Sequence, residues 1–142
     1  MAFKKIFVHL GFHKTGTTSF QQYCFNSNLN ILELHVVKRD LISPHVYEFD
    51  LAKIKREIDR RLLDHDYLII SDEELSGNPH TNGNGGLMQR LILERLKLLA
   101  QFYDIELFCT IRQQTAIIES SYRQYINKGG TQKLEDYLQL NC

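Results

Sequence analysis

Apolar residues in this chain fall into two alternating patterns, short β-rich runs and stretches at helical spacing. Residues 4 to 10, KKIFVHL, form a β-rich run that ends at Gly11, and beyond a glycine-bearing loop Phe20, Tyr23 and Cys24 recur at helical spacing. The N-terminal segment therefore reads as strand, loop, helix. Residues 31 to 37, ILELHVV, read as a second strand after an asparagine-rich flank. From Asp50, a residue type suited to an N-cap, Leu51, Ile54, Ile58 and Leu62 recur at three and four, which predicts an amphipathic helix over 51–64. Tyr67 to Ile70 is a short apolar run bounded by charge, suited to a buried parallel strand that delivers SDEELSG at its C-terminal end. Residues 77 to 86, GNPHTNGNGG, hold four of the eight glycines and one of the two prolines, and predict a mobile loop with the position of a lid. Met88, Leu91, Ile92, Leu96 and Leu99 predict a helix, followed by a strand at Ile105 to Ile111. A last helix, Gln113 to Asn127, carries Ile118, Tyr122 and Tyr125 and stops at Gly129 and Gly130. Strands alternating with helices imply an α/β fold, with a mainly parallel sheet, right-handed crossovers and helices on both faces.

Composition narrows this picture. A chain of 142 residues is expected to form a single domain, residues 1–142, and 43% hydrophobic with 24% charged residues excludes disorder and collagen-like repeats. Seventeen basic residues balance seventeen acidic ones, so no overall field draws the chain toward nucleic acid or an anionic membrane. Lys53, Lys55, Arg56, Arg60 and Arg61 make one helix face basic, but Glu57 and Asp59 interrupt it, and it reads as a solvated surface. The opening MAFKKIFVHLG is too short an apolar run for a signal core or a membrane span, so the expected location is cytoplasmic. Cys24, Cys109 and Cys142 lack zinc-site spacing and are odd in number, which predicts reduced thiols. His35, His45, His65 and His80 are scattered, so no metal is expected, and His9, inside the first strand, reads as a core histidine with a hydrogen-bond partner.

The strongest chemical signal is GFHKTGTTS, residues 11 to 19, between a strand and a helix. Successive backbone N–H groups and the helix dipole there form a cradle for a phosphate-like anion. In a Walker A loop the lysine directly follows the last glycine, whereas here Lys14 precedes Gly16 by two, which disfavours a magnesium-dependent NTPase or kinase. A Gly-Thr turn that merely caps a helix is the bland alternative.

This stretch resembles the sulfotransferases, whose phosphosulfate-binding loop has the form K-x-G-T-T after the first strand, and HLGFHKTGTTSFQ is similar to the bacterial, carbohydrate-sulfotransferase-like branch. The resemblance implies a three-layer P-loop NTPase-like fold and a donor substrate, 3′-phosphoadenosine 5′-phosphosulfate (PAPS), with PAP as product. It also implies that Lys14 contacts the phosphosulfate and that Gly16, Thr17, Thr18 and Ser19 supply N–H and hydroxyl donors, within a loop that includes His13 and Thr15. Lys14 would also neutralise charge on the bridging oxygen as the S–O bond breaks. Arg112 with Ser120 eight residues later matches the family's 3′-phosphate motif, although Gln114 stands where many members have proline.

Glu73 in IISDEELSG resembles the glutamate of the branch's S-x-E pattern and is the preferred general base, with Glu74 and His13 as alternatives. The acceptor implied is a hydroxyl of a small molecule or saccharide, and sulfuryl transfer can proceed without a metal. The family's C-terminal portion has no counterpart after LEDYLQLNC, so a shortened version of the fold is expected, with self-association or a completing chain. A non-catalytic or truncated module that binds PAP or another nucleotide is the rival expectation.

Overall fold

The computed structural model describes residues 4–11, 15–76 and 85–141. Two compact units make up the chain, Met1–Thr110 and Ile111–Cys142. The first contains β1 (Lys5–Gly11), α1 (Thr17–Asn26), α2 (Leu34–Val36) running into a π-helical turn (Val37–Ile42), α3 (Leu51–Arg61), β2 (Tyr67–Asp72), a 3₁₀ turn (Glu73–Ser76), α4 (Gly85–Leu99) and β3 (Asp104–Thr110). The strands form an all-parallel sheet in the order β2-β1-β3, so the first strand is central.

Side chains alternate across the sheet as strand geometry requires. Ile6 and Val8 of β1 and Leu68 and Ile70 of β2 join Ile54 and Ile58 of α3 and Ile92, Leu96 and Leu99 of α4 in the main core. The opposite positions, Phe7 and Ile69, pack against Cys24 and Phe20 of α1. Helices thus cover both faces of β1 and β2, and this is why those two strands are buried or half-buried along their whole length.

Local signals set most boundaries. The Asp50 carboxylate accepts a hydrogen bond from the Lys53 N–H at 2.9 Å, capping α3 as expected. That helix ends at Arg61, short of the expected residue 64.

The expected strand at 31–37 is overturned. Ile31 makes only an isolated parallel bridge to Ile69, and the chain then turns helical from Leu34 through Ile42. Val36, Val37, Leu41 and Ile42 are all buried, a spacing that satisfies a helical stripe as well as an apolar run does. Tertiary contacts decide between the two. The buried guanidinium of Arg95 on α4 donates to the carbonyls of Leu41 at 2.6 Å, Ile42 at 2.9 Å and Pro44 at 2.5 Å, which satisfies the C-terminal end of the π-helical turn. The sheet accordingly has three described strands and not the four expected.

Gly85 and Gly86, expected in the long loop, open α4 instead. The rest of that lid candidate, residues 77–84, lies outside the described residues.

In the second unit α5 (Gln114–Asn127) and α6 (Leu134–Asn141) are joined by the expected Gly129–Gly130 turn. The Tyr125 hydroxyl accepts from the N–H groups of Thr131 and Gln132, and Tyr122 donates to the Gln132 carbonyl at 2.9 Å. Stacked and tilted rings of Tyr122, Tyr125 and Tyr137 complete this helix pair.

Candidate functional site

Strand order creates the site. From β1 the chain crosses to β2 on one side and then returns past β1 to β3 on the other, so the strand order reverses about β1. Such a switch point opens a crevice at the carboxyl edge of a parallel sheet. The loop after β1 enters α1 at that edge.

Gly16 is the N-cap of α1 and sits at φ 87°, in the left-handed region that favours glycine. Gly16 has no side chain with which to cap the helix, so α1 opens on the kind of terminus whose first N–H groups suit an anion. Thr18 and Ser19 are exposed on this first turn, while Thr17 is only 4% exposed and its hydroxyl has no hydrogen-bond partner among the described residues. Thr17 packs over the end of β1, where a Cβ on Gly11 would lie 2.0 Å from the Thr17 hydroxyl oxygen. Glycine at position 11 is therefore a requirement of close approach.

Beneath the loop a polar chain crosses the α1 face of the sheet. His9, fully buried, meets the Ser71 hydroxyl through Nδ1 at 2.9 Å and the Thr110 hydroxyl through Nε2 at 3.2 Å. Thr110 Oγ1 in turn lies 2.9 Å from Thr15 Oγ1. Phe20 and Phe108 pack against the imidazole with centroids at 4.4 and 4.9 Å, and burial pushes its pKa down, which favours the neutral ring. The expectation of a satisfied core histidine holds.

The carboxyl end of β2 brings the acidic residues to the same edge. The Ser76 hydroxyl donates to the Gly11 carbonyl at 2.9 Å and so ties the 3₁₀ turn to the start of the loop. Glu73, half-buried, is the first residue of that turn. Glu74 accepts a hydrogen bond from Lys38 at 3.2 Å and is held in an ion pair.

Asp72 at the end of β2 is a further acidic group at this edge. It is 1% exposed, one of its oxygens accepts from the Glu74 N–H at 2.8 Å, and the other has no hydrogen-bond partner among the described residues, with the Lys38 ammonium 4.0 Å away. Burial pushes its pKa up. Alternation was the available signal: Asp72 occupies the same face of β2 as Leu68 and Ile70, the core face.

The structure thus gathers Thr15, Gly16, Thr17, Thr18 and Ser19 at one helix terminus, with Glu73 at the end of the neighbouring strand. His13 and Lys14 lie outside the described residues. Arg112 and Ser120 belong to the second unit, where Arg112 is exposed just ahead of α5 and Ser120 is half-buried within that helix. Among the described residues no group of three or more histidine, cysteine or acidic side chains is placed to hold a metal, and no helix is long and apolar enough to cross a membrane. Comparisons of the chain with protein-family models, with curated protein sequences and with solved structures returned no match.

Proposed function

We propose that this chain is a PAPS-dependent sulfotransferase of P-loop type, which transfers a sulfuryl group to a hydroxyl of a small molecule or saccharide. One observation carries the reading. The helix after β1 starts at a left-handed glycine with no side-chain cap, at the sheet's switch point, and the residues around that glycine are KTGTT. A helix terminus that opens on glycine, with adjacent threonine and serine hydroxyls, suits the oxygens of a phosphosulfate.

In this reading the acceptor oxygen attacks sulfur in line with the leaving phosphate. The S–O bond to the 5′-phosphate breaks, its electron pair stays on PAP, and the acceptor proton passes to a carboxylate. Glu73 is assigned as that base because it stands at the end of the strand beside the loop strand. Lys14 is assigned to the phosphosulfate, and Arg112 with Ser120 to the 3′-phosphate.

Calorimetric titration with PAP tests the donor site without needing the acceptor. The wild type is expected to bind, and Lys14→Ala and Arg112→Ala are each expected to lose about 10- to 100-fold in affinity, the worth of a hydrogen bond to a charged group. A folded wild type that ignores PAP would overturn the proposal. Binding without turnover of PAPS across a panel of acceptors would favour the non-catalytic module.

A further inference from the structure

We propose that His9 is a positioning residue for the anion loop, acting through Thr110 on Thr15, an inference that rests on the donor-site reading above. The face of a parallel sheet beneath a helix is ordinarily filled with apolar side chains. Here four polar groups, Ser71, His9, Thr110 and Thr15, cross all three strands in one hydrogen-bonded chain and end on the residue next to Gly16. Buried polar groups cost desolvation unless they are satisfied, and this chain satisfies its members by reaching out of the core to the loop.

A neutral imidazole offers one donor and one acceptor, so one of its two hydroxyl partners donates and the other accepts. That requirement gives the chain a single direction and couples Ser71 on β2 to Thr15 at the loop. The ring packs against both Phe20 and Phe108, which also meet each other edge to face, and Phe20 lies on the first turn of α1 itself. On the far side the Gln21 amide donates to the Ser71 carbonyl at 2.8 Å. Loop and helix are therefore indexed to the same level of the sheet from both ends. Convergent donors bind an oxyanion only when held within a few tenths of an ångström, and this hydrogen-bonded chain fixes the residue that precedes Gly16 to the sheet.

The test compares Thr110→Val, which keeps the shape and removes the hydroxyl, with Thr110→Ser, which restores it. It adds Ser71→Ala at the end remote from the loop and a His9→Phe, Thr110→Val double variant. Each variant is checked for folding by thermal melting, then titrated with PAP by calorimetry, and its amide exchange at Gly16 to Ser19 is followed by NMR without ligand. Expected are a loss of about tenfold in PAP affinity for Thr110→Val, recovery to within about twofold for Thr110→Ser, and no further loss in the double variant, because the residues act as one unit. Thr110→Val that folds and binds like the wild type would overturn the proposal. Should Thr110→Val fail to fold, Ser71→Ala decides, with weakened PAP binding at unchanged melting temperature expected and unchanged binding negative. If the wild type itself does not bind PAP, the donor-site reading fails separately. The exchange data then decide on His9: faster loop exchange in Thr110→Val than in Thr110→Ser supports it, and equal exchange overturns it.

Discussion

Asp40 shows what a single buried charge contributes here. Its carboxylate is 2% exposed, pairs with Lys53 at 2.8 Å and with the Arg39 guanidinium, and the Arg39 hydrogen bond leads the causes that hold its pKa down at about 2. A carboxylate depressed in the folded state adds stability above its unfolded value near 3.8, and that stability is lost as pH falls toward about 2. Asp40→Asn is expected to cost about 1–2 kcal/mol at pH 7, a figure discounted because Arg39 and Lys53 are nearly half exposed, with the difference shrinking toward pH 2. Urea unfolding of both proteins across that range measures it, and a pH-independent gap would refute the ion-pair account. Asp40 was invisible as a buried group in the sequence, where it stands among other charged residues.

Elements with purely local causes were legible. Charge-bounded apolar runs located all three strands to within two residues of Lys5–Gly11, Tyr67–Asp72 and Asp104–Thr110, and Asp50 marked the start of α3. The segment from Leu34 to Ile42 was not legible, because its helical form depends on a side chain from α4. Arg95→Met should retain the aliphatic packing beside Phe49 while stranding the three carbonyls that the guanidinium serves. The expected cost is about 2–4 kcal/mol. Melting and denaturant titration check it, and a variant as stable as the wild type would show that the turn satisfies its own carbonyls.

For the whole molecule, the main core is drawn from Ile6 through Tyr103, and no residue of α5 is fully buried. Residues 1–110 are therefore expected to fold alone, with a cooperative thermal transition by circular dichroism, and a non-cooperative melt of that fragment would refute this. The sequence by itself determined the alternation of strands and helices, the glycine-threonine loop ahead of α1 and the helix cap at Asp50, since each follows from residues a few positions apart. Tertiary structure alone decided the strand order, the helical fate of residues 34–42, the burial of Asp40 and the polar chain under the loop. His9 finds Ser71 across 62 positions and Thr110 across 101, and only the parallel register of three strands brings such distant hydroxyls to one imidazole.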